Sequence, residues 1–440
     1  MLSAHRALPV DFGDGDGPER RRLVLGHRYC VDPATGRGSG RYAALDWPLL
    51  RNDPVGLMAL FHTGAGEDLV VASHPALALQ CSLGTIPPYD ITDPLEHRHP
   101  INFIPAPATR WRAVRRTFCD QAIDLDAAAV VHADHGIRPM ASFAAARDAI
   151  AEELCRFAEE ARRRVPGTIF LPLTAGLDSR TVAAAFLATG LPFETVTLRF
   201  VGKPTTDATV ARRISRAFGL RHQALALRKP DPALRDRFAA QVSDAFEDWT
   251  LTHTFPGDAY RYLRAGDAMI VAGCFEIGRQ HSYPKALGDL DLSAASGAAI
   301  WARVNKVTRG PTALTDALDD WKAWRGAHPD GLDWLAALYL DQRLTAWRAS
   351  IELGYDLLPA VVLHPANHVR ILSGMITPDP ADQQSGRLQR AVIEALEPRL
   401  LDYPVNPPSL EQRLRWLRGR WRRRARRVAG LLTGMRAEGR

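Results

Sequence analysis

The chain of 440 residues has little cysteine, little lysine and no long apolar run. Its five cysteines, Cys30, Cys81, Cys119, Cys155 and Cys274, are scattered, odd in number and form no CxxC pair. That pattern excludes a disulfide framework and a zinc knuckle. No HExxH occurs among the histidines. His364 and His368 have metal-compatible helical spacing, but Pro365 lies between them and no third ligand is near in sequence. They read as structural or surface residues. No apolar stretch is long enough to span a membrane. Met1 to Arg21 carries charges and a Gly-Asp-Gly-Asp-Gly stretch but lacks the apolar core of a signal peptide, so the expected location is the cytoplasm.

Lysine occurs five times against 51 arginines, and the net charge of +7 is local. Residues 411–440 hold eleven Arg and two Glu, which leaves the rest of the chain at −2. A nearly neutral body argues against a nucleic-acid partner. In the tail, Leu414, Leu417, Trp421, Val428 and Leu431/Leu432 recur at helical spacing, with arginines on the other faces. The pattern predicts a basic amphipathic helix. Its expected partner is an acidic protein surface, on this chain or another, or an anionic membrane. Nucleic acid is the weakest of the readings, and a homodimer is a further expected assembly.

The most informative stretch that is present is Leu171-Pro172-Leu173-Thr174-Ala175-Gly176-Leu177-Asp178-Ser179-Arg180. An apolar strand, Thr168 to Leu173, runs into a turn of small residues and then a helix from about Ser179 to Thr189, closed by Gly190. Small residues let the backbone approach an anion, and unpaired N–H groups at the helix start point at it. Thr174 and Ser179 add hydroxyls. Asp178 would repel a bare phosphate, so it implies an intervening Mg²⁺. The same string also fits an ordinary strand-to-helix turn capped by Asp178 or Ser179.

The surroundings bear on that choice. Residues 1–135 read as mostly β, with strands expected at Arg22 to Tyr29, Gly56 to His62 and Asp68 to Ala72, and a proline-rich loop over 83–108. From Ser142, a plausible cap, Phe143, Ile150, Leu154, Phe157 and Ala161 form one helical stripe that Pro166-Gly167 ends. The pattern then alternates: strand 168–173, helix, strand Glu194 to Phe200, helix from about Asp207 to Phe218, strand His222 to Leu227. Such alternation predicts βαβ crossovers and a parallel sheet, whose ligands bind beyond the carboxyl ends of the strands. Ala268 to Gly273 is a further buried strand, followed by Cys274-Phe275-Glu276-Ile277-Gly278-Arg279. Residues 230–265 and 290–400 read as mainly helical.

The loop resembles the pyrophosphate loop of ATP pyrophosphatases, Ser-Gly-Gly-x-Asp-Ser. It keeps Gly176, Asp178 and Ser179, with Thr174 and Ala175 at the first two positions. It is not a Walker loop, since no Gly-Lys-Ser/Thr follows. The order of segments extends the resemblance to asparagine synthetase-like proteins. It is carried by 173–180, Val196 to Phe200, Thr206-Asp207-Ala208, Phe218 to His222, Glu276 to Arg279, Tyr339 to Trp347 and Leu357-Leu358-Pro359.

The resemblance implies an α/β chain in three parts. Residues 1–135 would be a degenerate glutaminase-like (Ntn-type) domain. Residues 136–405 would be a parallel-sheet ATP pyrophosphatase domain of the adenine nucleotide alpha hydrolase type, with a helical C-terminal region. Residues 406–440 would be the basic tail. The implied function is an ATP-dependent, AMP-forming amide ligase that activates a small-molecule or peptide carboxylate and passes it to an amine. Its alternative is a non-catalytic adenine-nucleotide-binding or scaffold protein.

By the same likeness, Leu173, Thr174, Ala175, Gly176, Leu177, Ser179, Arg180 and Asp207 would hold ATP. Asp178 and Glu276 would ligate Mg²⁺, and Asp178, Glu276 and Arg279 would carry the chemistry. Arg180 would point at phosphate or pack outward, and Asp207 would be a helix cap or a nucleotide contact. Glu276 and Arg279 also fit a surface ion pair. Three departures stand out. Leu2 and Ser3 occupy the place of the family's nucleophilic Cys, and Cys30 is internal, so glutamine hydrolysis is not expected. The family's second metal stretch is reduced to Gly273-Cys274-Phe275-Glu276. No lysine follows Lys322, leaving Arg387 or Arg390 as the late cation.

Overall fold

A short apolar strand, Ile169–Pro172, occupies the middle of a five-stranded parallel sheet and positions the loop that follows it. The computed structural model describes residues 10–13, 22–32, 35–93, 95, 99–200, 205–227, 232–242, 261–280 and 283–407. The expected tail helix, with Leu414, Leu417, Trp421, Val428 and Leu431/Leu432, lies outside the described residues, as do Leu2 and Ser3.

The first part of the chain is β-rich, as its Gly- and Asp-punctuated runs predict. Strands β1 (Val10–Gly13), β2 (Arg22–Tyr29), β3 (Ser39–Asp46), β4 (Leu49–Asn52), β8 (Gln121–Asp124) and β9 (Ala129–His132) form an antiparallel sheet in the order β1-β2-β3-β4-β8-β9. A smaller sheet pairs β5 (Phe61–Thr63) with β6 (Val70–Ala72) and β7 (Arg115–Arg116). Helix α1 (Pro75–Leu83) packs on it.

The expected strand over Gly56 to His62 shrinks to β5. The buried Asp53 carboxylate takes the N–H groups of Leu57 at 2.9 Å and Met58 at 2.7 Å. Those donors therefore never reach a neighbouring strand. Among the described residues of 84–108 no strand or helix is found, in keeping with the loop read there.

Helix α2 (Phe143–Arg164) begins where the sequence places it. Ser142 accepts from the Ala145 N–H at 3.1 Å, and Ile150, Leu154, Phe157 and Ala161 are buried along one face. Then come β10 (Ile169–Pro172), α3 (Leu177–Ala188), β11 (Glu194–Phe200), α4 (Thr206–Ala217), β12 (His222–Leu227), α5 (Pro232–Val242) and β13 (Ala268–Ile270). Helices α6 (Tyr283–Leu287), α7 (Gly297–Asn305), α8 (Thr312–Ala327) and α9 (Trp334–Leu338) lead into a π-helical stretch, Tyr339–Arg348. After it follow α10 (Ala349–Tyr355), β14 (Val361–Leu363), α11 (Val369–Ile376), α12 (Pro380–Ser385), α13 (Arg387–Leu396) and a 3-10 turn, Pro398–Asp402.

The second sheet runs β12-β11-β10-β13-β14, all parallel. The chain moves outward from β10 through β11 to β12, then returns to the other side of β10 with β13. The strand order reverses between β10 and β13, which is where ligands of such sheets bind, beyond the carboxyl ends.

The two parts are joined by buried polar brackets. Arg116 donates to the carbonyls of Thr345 at 2.6 Å and Ala346 at 2.9 Å. Gln342 exchanges two 2.9 Å bonds with the Ala106 backbone. Asn367 accepts from the Val55 N–H at 3.2 Å and donates to the Gly40 carbonyl at 2.6 Å. One apolar core contains Tyr29 and Phe118 together with Ile150, Leu171 and Phe275.

Candidate functional site

Leu173 and Ala175 are buried and fix both ends of the turn leaving β10. Helix α3 starts at Leu177, two residues earlier than the sequence suggests, with Gly176 as its N-cap. Gly176 has φ −76° and ψ 166°, and no residue of the turn has a positive φ. The methyl of Ala175 therefore meets no backbone penalty here, and the turn accepts alanine where a glycine is usual in similar loops.

The turn is held by its own side chains. The Thr174 N–H donates to Ser179 Oγ at 3.1 Å, and the Gly176 N–H donates to Thr174 Oγ1 at 3.1 Å. The Ala175 N–H donates to Asp207 Oδ1 at 2.8 Å. Gly176 has no side chain to cap the helix, so α3 presents an uncapped first turn at the end of the central strand. Such a turn favours an anion.

Asp178 stands in that first turn. Nη2 of Arg279 donates to its two oxygens at 2.7 and 2.8 Å, and Gln389 Nε2 also donates to Oδ1. Arg279 reaches it from the segment after β13, so the turns of β10 and β13 meet across the reversal in strand order. Arg279 is not paired with Glu276 through its side chain; its backbone N–H donates to the Glu276 carbonyl at 3.0 Å. The simple surface ion pair is thereby replaced by a bridge between two loops.

Glu276 is half-buried on the 3-10 turn Phe275–Gly278. Burial pushes its carboxyl above the ordinary range, Arg348 opposes the shift, and the nearby charge of Asp178 adds to it. Arg348 lies against Gly273, where a Cβ would stand 3.2 Å from its guanidinium. Glycine there makes room for the arginine.

Two expectations are corrected. Arg180 neither points at a phosphate nor packs outward. It is fully buried and donates to the carbonyls of Ala175 at 3.0 Å, Leu400 at 3.2 Å, Tyr403 at 2.8 Å and Pro404 at 2.6 Å. Asp207 is not the cap of α4. Thr205 is, accepting from the Ala208 N–H at 3.2 Å, which frees Asp207 to hold the loop at Ala175.

The other candidates are placed as follows. His364 is buried with its Nε2 2.9 Å from Glu352, and His368 lies 3.8 Å from Glu153, both structural. Of the late arginines, Arg387 pairs with Asp382 at 2.7 Å, and Arg390 acts electrostatically on Arg180. Burial pushes the Cys30 thiol up to about 12, the reverse of a poised nucleophile. Gln389, Arg348 and Asn406 join the site without a signal in the sequence, because each arrives from a distant helix or turn.

Among the described residues no group of three or more His, Cys, Asp or Glu could hold a metal ion. Mg²⁺ does not need one, since it is commonly held by one or two carboxylates together with substrate phosphates and water. Asp178 and Glu276 fit that reduced set, and Arg279 is the cation an incoming metal would have to displace.

No family model matches the chain, and no curated protein matches it. Among solved structures, it is similar to an NH3-dependent NAD synthetase from Campylobacter jejuni at 14% identity, covering 47% of this chain and 96% of that one, with a TM-score of 0.24. An NMN synthetase from Francisella tularensis is similar at 14% identity, covering 48% and 93%, with a TM-score of 0.24. Likeness at this level carries no conclusion about this chain's activity.

Proposed function

We propose that this protein is an asparagine synthetase-like, ATP-dependent, AMP-forming amide ligase without glutaminase activity. The observation that carries the reading is the meeting of Asp178, Glu276 and Arg279 around the uncapped start of α3, where the parallel strand order reverses. That arrangement suits the polyphosphate of ATP.

In the proposed reaction a substrate carboxylate oxygen attacks the α-phosphorus. The bond from the α-phosphorus to the bridging oxygen breaks, and pyrophosphate leaves. An amine then attacks the activated acyl carbon, the C–O bond to AMP breaks, and the amine loses one proton. The first-turn N–H groups of α3 face the departing pyrophosphate and Thr174 and Ser179 brace the loop. Glu276, whose carboxyl burial pushes upward, is suited to accept the amine proton at a carboxylate oxygen. Asp178 and Glu276 would hold Mg²⁺, which supplies positive charge to phosphate oxygens. Arg279, displaced from Asp178, would turn its charge toward the phosphate oxygens.

ATP–pyrophosphate exchange with candidate carboxylates tests this. Exchange in the wild type that is abolished in Asp178→Ala supports it. No exchange with any carboxylate, or full exchange in Asp178→Ala, would sink it.

A second reading is a nucleotide-binding protein that performs no chemistry. It is favoured by the loop's self-satisfied state, in which side chains already take the N–H groups of Thr174, Ala175 and Gly176. Calorimetry separates the two: tight ATP binding without pyrophosphate release selects the second reading.

A further inference from the structure

Arg180 carries a buried charge whose hydrogen-bond partners are all carbonyls, and three of those four lie beyond residue 399. The 3-10 turn Pro398–Asp402 ends with carbonyls that have no partner within the turn, and the guanidinium supplies donors to Leu400 and to Tyr403, its C-cap. The chain then crosses the phosphate loop. The Asn406 N–H donates to the Ala175 carbonyl at 3.0 Å, the same oxygen that accepts from Arg180 Nη2. Asn406 has φ +42°, a left-handed conformation that asparagine tolerates better than most residues. Leu400 is fully buried beneath this segment, and the Tyr403 ring lies 6.0 Å from the Arg213 guanidinium on α4.

We infer that residues 398–406 form a strap across the phosphate loop and that Arg180 is the positioning residue coupling the two. The inference rests on the reading of residues 173–179 as a phosphate loop. The Ala175 peptide is held at both ends, its N–H by Asp207 and its carbonyl by Arg180 and Asn406. Its orientation therefore depends on the strap being docked. The Arg180 charge has no carboxylate hydrogen-bonded to it among the described residues, and its Nε has no hydrogen-bond partner. A buried cation beneath the loop gains from an anion bound above it.

The test uses the full chain and compares wild type with Arg180→Lys, Arg180→Met and Asn406→Pro. The last variant leaves Arg180 intact but removes the N–H that reaches Ala175. Arg147→Ala, whose exposed side chain pairs with Asp148 on α2, is the control. Hydrogen exchange followed by mass spectrometry reads peptides covering 171–179 and 398–406, and calorimetry reads ATP and inorganic pyrophosphate. We expect exchange to rise at least tenfold in both peptides in Arg180→Met and Asn406→Pro, while the β2–β3 hairpin is unchanged. Binding should weaken at least tenfold, with Arg180→Lys intermediate and Arg147→Ala like wild type. Faster exchange across the whole chain would show a purely structural residue and overturn the coupling. Exchange confined to the strap, or a loosened loop with unchanged binding, would overturn it too. If the wild type binds neither ligand, the phosphate-loop reading fails, and the exchange pattern still decides whether Arg180 couples strap and loop.

Discussion

Both carboxylate oxygens of Asp178 accept from Nη2 of Arg279, at 2.7 and 2.8 Å, joining the turn after β10 to the turn after β13. The pair is about three-quarters buried, with side-chain exposures of 27% and 25%. It is therefore a bridge between loops more than a surface ornament. It also makes Arg279 a competitor for any cation that Asp178 binds. In Arg279→Met the half-saturating Mg²⁺ for ATP binding should fall by roughly tenfold, equivalent to about 1.4 kcal/mol. Stability should fall by about 1–2 kcal/mol through loss of a charged hydrogen bond. Calorimetry across a Mg²⁺ series checks the first and urea unfolding the second. An unchanged Mg²⁺ requirement would remove Asp178 from the ligand set.

Asp207 holds the Thr174–Gly176 turn from α4. Asp207→Ala leaves the Ala175 N–H without its acceptor and should cost about 1–2 kcal/mol, with weaker ATP binding. Asp207→Asn keeps an oxygen that can accept and should recover most of both losses. If alanine and asparagine behave alike in thermal melts and in titration, the bond at 2.8 Å has no bearing on the loop.

Ala175 sits in the turn without positive φ. Restoring the glycine usual in similar loops should therefore bring no gain. Ala175→Gly is expected to destabilise the chain by about 0.5–1 kcal/mol, since glycine loses more freedom on folding. ATP–pyrophosphate exchange should not rise. An increase of severalfold in exchange would show that the alanine loop is strained after all.

The protein should lose stability in mild acid. Burial, and then Arg41, push His27 down to about 4, and burial with Arg115 does the same to His62, both from 6.5. Between pH 6.5 and 4 the unfolded chain binds more protons at these sites than the folded one, so stability falls as pH falls through that window and is flat above it. Urea midpoints at pH 7.5, 5.5 and 4.5 should decline, and the His27→Gln/His62→Gln double variant should decline less. Equal declines would assign acid loss to other groups.

The sequence was legible where burial and period act locally. The strand-forming runs of β2, β11 and β12 and the stripe of α2 are found at or close to the expected bounds, because strand propensity and a helix's single apolar stripe are properties of residues near one another in the chain. The turn Thr174–Asp178 was legible as a strand-to-helix turn for the same reason, being made of neighbours in the chain. It was less legible where a backbone donor is captured from afar. The segment 56–60 has the composition of a strand, yet Asp53 takes its N–H groups.

By itself the sequence determined an α/β chain with a parallel sheet and a turn of small residues between a strand end and a helix start, since periodicity, small residues and chain order are local properties. Tertiary structure alone decided what each polar side chain does there. It turned Arg180 inward onto carbonyls more than 200 residues away, set Arg279 against Asp178 instead of Glu276, and moved Asp207 from helix cap to loop anchor. A buried charge or carboxylate takes whichever partner the packing brings within hydrogen-bond distance, and that partner is not fixed by spacing along the chain.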